Sequence, residues 1–436
     1  MTVVAAHPLD RPQAIAAAPG AHLAWLGQAG FLIRQGGLTM VIDAYLSDTL
    51  AEKYRGTRFP HHRMMPPPVQ PADLDGIDWI LCTHSHTDHM DQGTIPPILA
   101  ANPRARVLAP RAEREKALQK GVPADRLTLI DAGESLDLGG VTVTATPSAH
   151  ETLNRTDAGY LCLGYVLSGG GVNLWHSGDT IPYPGLAEWL MPFRVDLALL
   201  PVNGRDAERA AHGVPGNLTL EEAVALTDCI GARAMLGHHF GLFDFNTLDR
   251  AEGERRLTRL SPRADVRLVR AGTAYAVEPV AKPPLSVLIV CRGNICRSPT
   301  ADGLLRQALP GHVIDSAAIM DWNVGRPPHA ETVAVAGERG VPLGHLVARQ
   351  ITRRDFDDFD VILGMDDPNM EAILALRPPG SRACVGRLGA FAEPGAEASI
   401  EDPWGHPRPV FEAVFDQIKL ACDRLAGFAR AAQDTR

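Results

Sequence analysis

Over the first 280 or so residues, apolar positions gather in short runs separated by turns. Residues 141–146 (VTVTAT) alternate with the two-residue period of a half-buried strand and stop at Pro147. Residues 77–82, 172–176 (VNLWH) and 234–236 predict further strands, with only a few helices among them. The pattern changes at Ser286. Residues 286–290 (SVLIV) form a continuous apolar run of the kind buried on both faces, and longer helical stretches then alternate with strands, the last helix covering about 409–431. Between the two patterns, residues 277–285 (VEPVAKPPL) carry three prolines and no periodicity, which predicts a linker. No repeat recurs at a fixed period, and the halves do not resemble each other. The chain divides into lobes over 20–280 and 285–432.

Composition agrees with two globular cores: of 436 residues, 45% are hydrophobic, 21% charged and 6% aromatic. The formal charge of −9 is spread over both halves, so bulk charge offers a nucleic acid nothing to bind. No apolar run approaches the roughly 20 residues of a membrane helix, and the Ala- and Pro-rich start lacks the basic and long apolar regions of a secretory signal. Seven cysteines at scattered positions do not make a disulfide framework. A cytoplasmic protein is expected, with no nucleic-acid or membrane partner.

The densest chemistry in the first half is Thr83-His84-Ser85-His86-Thr87-Asp88-His89, directly after an apolar run. Imidazoles with a carboxylate suit zinc, manganese or iron better than magnesium or calcium. The same context recurs: a strand ends and a His or Asp follows, at His150, at His176-Ser177-Gly178-Asp179, and at His238-His239. Loops of this kind gather along one edge of a sheet. His176 reads equally as a ligand or as a packed histidine, and only one of His238 and His239 need face a metal. The basic stretch Lys53, Arg55, Arg58, His61, His62 and Arg63 reads first as a solvated loop, with phosphate binding as the alternative.

With HxHxDH, the stretches 25–31 (WLGQAGF), 42–47 (IDAYLS), 176–180 (HSGDT), 201–205 (PVNGR) and 216–219 (GNLT) make the first half resemble the metallo-β-lactamase superfamily, and within it the L-ascorbate-6-phosphate lactonase-like branch. The resemblance implies an αββα sandwich with one or two divalent ions, zinc or manganese. His84, His86 and His150 would hold one, Asp88, His89 and His239 the other, and Asp179 would bridge them. His239 is preferred because an aromatic residue, Phe240, follows it. Ala44 departs from the usual proline. The superfamily hydrolyses several bond types, and the branch favours a small phosphorylated lactone or a phosphodiester.

Immediately after the SVLIV run comes Cys291-Arg292-Gly293-Asn294-Ile295-Cys296-Arg297-Ser298-Pro299, a CxxxxxR loop between a strand and a helix. Successive N–H groups and a helix N-terminus cradle an oxyanion and favour a thiolate nucleophile at Cys291, while Arg297 supplies a planar fork of donors. Ser298 would hydrogen-bond the thiolate and Asn294 would hold the loop shape. The matching acid is Asp402, in Glu401-Asp402-Pro403-Trp404, and Trp322 and Trp404 would wall the leaving-group pocket.

These motifs, with 315–317 (DSA), 325–328 (GRPP), 348–350 (ARQ) and 361–366 (VILGMD), resemble the low-molecular-weight protein tyrosine phosphatase family, an α/β domain on a parallel sheet. The resemblance implies a phosphocysteine at Cys291, Asp402 as acid and then base, no cofactor, and Cys296 as an oxidation partner of Cys291. Trp404-Gly405 replaces the family's tyrosine pair. The arsenate-reducing relatives use two downstream cysteines where only Cys384 stands. The expected function is a bifunctional hydrolase acting on small phosphorylated molecules, phosphotyrosyl proteins, or both. The alternatives are a tyrosine phosphatase with an independent or regulatory metal lobe, and an arsenate reductase-like second lobe.

Overall fold

The computed structural model describes residues 3–395 and 398–433. Among these residues, the first lobe is built on two facing sheets. One has eight strands in the order Val4–Pro8, Thr273–Val277, Ala21–Gly27, Gly30–Gln35, Leu38–Ile42, Trp79–Leu81, Arg106–Pro110 and Leu127–Ile130. The other has seven, in the order Asp265–Leu268, Ala234–His238, Leu197–Pro201, Val172–His176, Leu163–Gly169, Val141–Pro147 and Ser135–Asp137. The sheet begins at Val4, ahead of residue 20 where the sequence reading starts the lobe.

Alternation along the strands explains the layering. Leu23, Trp25, Phe31, Ile33, Met40 and Ile42 point into the core between the sheets. Their neighbours Ala24, Leu26, Leu32 and Val41 point outward, beneath the helix Ile95–Ala101. On the far side, the helices Leu220–Cys229 and Arg250–Leu260 cover the seven-stranded sheet. With both faces covered, the central strands are buried throughout. This is the expected αββα sandwich.

The second lobe is a parallel four-stranded sheet in the order Val313–Ala318, Ser286–Cys291, Val361–Gly364, Cys384–Arg387. The helices Arg297–Ala308 and Arg408–Ala431 pack together beside it, the latter one residue from its predicted start.

The proline-rich seam has no regular structure after Val277, but it is not a free tether. Lys282 Nζ reaches the fully buried Asp196 at 2.5 Å, and Arg194 Nη1 donates to Pro283 O at 2.6 Å. The lobes share a continuous core: the Phe428 ring lies 5.1 Å from Trp189 and 5.2 Å from Phe193, and Trp189 Nε1 donates to Ala390 O at 2.9 Å. Among the described residues, no helix is long and apolar enough to cross a membrane.

Candidate functional sites

In the first lobe the site forms where strands end. Strand Leu38–Ile42 delivers Asp43, fully buried, which accepts hydrogen bonds from Thr83 N (2.8 Å), Thr83 Oγ1 (2.6 Å) and His89 Nδ1 (2.7 Å). The Thr83 hydroxyl proton is thereby used, so His84 Nδ1 must donate to Thr83 Oγ1, 3.1 Å away. Both rings are thereby held with Nε2 turned inward.

Strand Val141–Pro147 leads to His150, Val172–His176 to Asp179, and Ala234–His238 to His239, which turns inward at φ +64°. That last strand runs beyond Leu236, through Gly237 and His238. Three ligand-like groups result: His84/His86/His150, His84/His89/Asp179 and Asp88/His89/His239. Asp179 Oδ2 stands between the outer two, 3.1 Å from His239 Nε2, 3.3 Å from His89 Nε2 and 3.8 Å from His150 Nε2.

Buried yet without a hydrogen-bond partner are His84 Nε2, His89 Nε2 and Asp179 Oδ1. Unpartnered inward donors of imidazole and carboxylate type fit borderline divalent ions, so the donor set suits the group that the resemblance implies. Electrostatics match. Burial pushes His84 well down, helped by the neighbouring histidines, and takes His150 to about 4. Burial also opposes charge on His89, but Asp179, Asp43 and Asp88 outweigh it and hold that ring well above its ordinary value. For Asp179 burial is overcome by His239 and His89, which keep its carboxyl well below the usual range.

Geometry bears on the two open choices. His176 uses both ring nitrogens, Nε2 to Ala29 O at 2.9 Å and Nδ1 accepting from Gly178 N at 3.0 Å. His238 stacks on His176 and meets Phe31 edge-on inside the core. Gln28, which the sequence reading did not single out, is fully buried, donates to Asp88 Oδ2 at 3.2 Å and accepts from His239 N at 3.0 Å. Asp43 is the other residue missed, although it obeys the same strand-end rule.

Above the groups lies a cavity of about 740 Å³. Lys53, Arg58 and His61 from the basic stretch line it, with Lys116 opposite. Arg63 turns back instead, donating to Tyr45 O and Ser47 O. Arg58 is paired with Glu208.

In the second lobe, strand Ser286–Cys291 ends at the nucleophile candidate. Cys291 Sγ accepts from Ser298 Oγ at 3.0 Å and from Asn294 N at 3.2 Å. Asn294, at φ +51°, donates through Nδ2 to Ser298 Oγ (2.9 Å) and accepts from Arg349 N (3.1 Å), which ties the loop to the next turn. A Cβ on Gly293 would lie 2.7 Å from Asn323 Nδ2, so a larger residue there would displace the Asn323 amide, which donates to Gly293 O at 3.2 Å. Arg297 is 2% exposed, with Nη1 bound to Asp366 Oδ2 (2.6 Å) and Ile400 O (2.9 Å) and Nη2 to Asp402 Oδ2 (2.8 Å). Its buried Nε has no partner.

Burial disfavours charge on Arg297, but Cys291 and the two carboxylates override it. Arg292 lies with its guanidinium 5.3 Å from the Trp322 ring. Trp322 and Trp404 are 57% and 65% exposed, so both project into solvent. Cys296 is buried and its thiol pushed up to about 12 by that burial. Cys384 lies in the edge strand, also buried.

Two clusters of reactive side chains therefore share one chain, a group of ligand-type residues at the sandwich edge and a CxxxxxR loop. Residues 286–435 match the family model described as low molecular weight phosphotyrosine protein phosphatase, and residues 39–240 match that of a beta-lactamase superfamily domain. A low molecular weight phosphotyrosine protein phosphatase of Sus scrofa is 40% identical over 145 residues, 31% of this chain and 90% of the relative. A low molecular weight protein-tyrosine-phosphatase of Bacillus subtilis is 35% identical over 147 residues, 32% and 93%. A metallo hydrolase from Ignicoccus hospitalis is 20% identical with a TM-score of 0.43, covering 58% of this chain and 97% of that one. Through its second lobe the chain belongs to the low molecular weight phosphotyrosine protein phosphatase family, joined to a beta-lactamase-superfamily domain; both are hydrolase families.

Proposed function

We propose that the chain is a two-site hydrolase: a phosphotyrosine-type phosphomonoesterase over 285–432 and a metal-dependent hydrolase over 20–280, whose eight-stranded sheet also takes in the strand Val4–Pro8. The observation that carries the first reading is the convergence of Ser298, Asn294 and the Arg297–Asp402 pair on Cys291. The Cys291 thiolate attacks phosphorus, the S–P bond forms, and the bond to the leaving oxygen breaks as Asp402 protonates it. Arg297 and the loop N–H groups hold the phosphoryl oxygens. Asp402 then takes a proton from water, which attacks the phosphocysteine and releases phosphate and the thiolate. Trp322 and Trp404 flank an aromatic leaving group, and a phosphotyrosyl protein is the substrate class.

In the first lobe, His84, His86 and His150 would hold one divalent ion, Asp88, His89 and His239 a second, with Asp179 shared. A zinc or manganese ion held by these residues would supply Lewis acidity, lowering the pKa of a water and polarising a scissile bond. Asp43 fixes the His89 ring, Gln28 orients Asp88, and Lys53, Arg58 and Lys116 attract an anionic substrate, the last two by exchanging Glu208 and Glu113 for it. Together with the lactonase-like motifs, these cations support a small phosphorylated lactone or phosphodiester. Seven unpaired cysteines fit a reducing, cytoplasmic setting.

The test is metal content together with hydrolysis of para-nitrophenyl phosphate, phosphotyrosyl peptides and phosphorylated lactones by wild type, His86→Ala and Cys291→Ser. Cys291→Ser should lose only phosphatase activity and His86→Ala only the other. A lactone product dephosphorylated by the same chain would place the two steps in sequence. Wild type inert toward aryl phosphates would overturn the phosphatase reading.

A further inference from the structure

One wall of the metal-site cavity is the loop 150–162, which starts at His150 and contributes Glu151, Asn154, Leu161 and Cys162 to the lining. Its regular structure is the pairing of Arg155–Thr156 with Gly159–Tyr160 and a single bridge between His150 and Thr152. A hairpin of that length has no stability of its own, so whatever packs behind it decides where it sits.

The first lobe holds one side of it, where Asp131 Oδ1 accepts from Tyr160 N at 2.9 Å, and the other lobe supplies the support at Leu153. Gly395 lies so close to Leu153 that a Cβ there would stand 2.4 Å from Leu153 Cδ1. Gly395 N also donates to Pro184 O at 2.9 Å, in the segment that leads out of Asp179. The stretch 391–395 is held in turn by Arg424, on the helix Arg408–Ala431. Arg424 Nη1 donates to Phe391 O and to Ala392 O, both at 2.9 Å, and its guanidinium sits 5.0 Å from the Trp189 ring. Trp189 closes the ring of contacts through its bond to Ala390 O.

We propose that Arg424 and the segment 391–395 of the phosphatase lobe are positioning elements for the metal site: they hold the loop 150–162, and with it His150 and one cavity wall. The proposal rests on the metal reading of His84, His86 and His150. Arg424 donates its hydrogen bonds to the carbonyls of 391 and 392, away from Cys291, Arg297 and Asp402, so the phosphatase chemistry is independent of it.

The test uses the full chain carrying Arg424→Ala, with Leu153→Ala approaching the same contact from the other side. Zinc competition against a chromogenic chelator should show one ion bound about 10-fold more weakly in each variant. Limited trypsin digestion should cut after the exposed Arg155 several-fold faster. Turnover of para-nitrophenyl phosphate should stay at the wild-type value, showing that the second lobe is folded. Wild-type zinc affinity together with wild-type cleavage at Arg155 in both variants overturns the proposal. If wild type binds no zinc, the metal reading falls, and the cleavage rate alone decides whether the loop is held.

Discussion

Arg297 and Asp402 lie 105 residues apart in the chain, yet Arg297 Nη2 donates to Asp402 Oδ2 at 2.8 Å. The pair joins Arg297 to the proposed acid, so the segment carrying Asp402 is anchored on the arginine of the CxxxxxR loop. Ile400 O, two residues before the acid, is bound to the same guanidinium at 2.9 Å.

Asp402→Asn keeps a hydrogen-bonding group at this position but has no proton to give. Its turnover of phosphotyrosine should fall about 10²- to 10⁴-fold, the range for losing a general acid. The loss should shrink for aryl phosphates whose leaving group needs no protonation. A series of substituted phenyl phosphates measures this. An equal loss across the series would mean that Asp402 acts only by holding Arg297.

Ser298 is fully buried and gives its only hydroxyl proton to Cys291 Sγ. A hydrogen bond to an ionised group is worth about 1.5–3 kcal/mol. Ser298→Ala should therefore slow alkylation of Cys291 by iodoacetate at least about tenfold, because the thiolate loses that donor. Mass spectrometry of the alkylated peptide reads the rate.

What the sequence showed of the sites followed one rule, a strand ending in a chemically able residue. It located His84, His150, Asp179 and His239 because each stands at the first turn after an apolar run. Asp43 stands in the same place, but nothing in its own sequence neighbourhood sets it apart, because its effect is exerted through Thr83 and His89. Gln28 is hidden for the same reason.

The contact between lobes was not legible at all. Periodicity says that Phe428 and Leu425 face a core, but the same stripe serves whether that core is the helix's own sheet or Trp189 of the other lobe. The prolines of 277–285 likewise describe chain stiffness, whereas the docking of the seam depends on Lys282 meeting a buried carboxylate in another part of the chain.

Asp43 can be separated from the ligands by experiment. Asp43→Asn leaves all seven ligand candidates in place but no longer holds His89 as the tautomer with Nε2 inward. Zinc affinity at the Asp88/His89/His239 group should fall about 10- to 100-fold, as for other partners of ligating histidines. The His84/His86/His150 group should weaken less, because Asp43 reaches His84 only through the Thr83 hydroxyl. Chelator competition resolves the two affinities, and an even weakening of both would point to general unfolding instead. Stripping the metal from wild type should leave hydrolysis of para-nitrophenyl phosphate intact, since no step at Cys291 involves the ion.

Glu188 gives the interface a pH dependence of predictable sign. It sits on the short helix Leu186–Leu190, its Oε1 accepts from Arg387 N at 3.3 Å, and it lies against Gly386, where a Cβ would stand 2.5 Å from Glu188 Cγ. Burial raises its carboxyl above the ordinary 4.5, and the hydrogen bond from Arg387 N only partly offsets that. The unfolded chain therefore releases this proton near 4.5 while the folded chain keeps it to higher pH. Between those two values the folded state binds more protons, so this group's contribution to stability declines as pH rises through that window. Glu188→Gln keeps an acceptor for Arg387 N and removes the titration. The thermal midpoint of Glu188→Gln should thus rise relative to wild type on going from pH 4.5 to pH 8, as read by differential scanning calorimetry. A midpoint difference that stays constant over the range would mean that the Glu188 carboxyl is already ionised in the folded interface at the acid end.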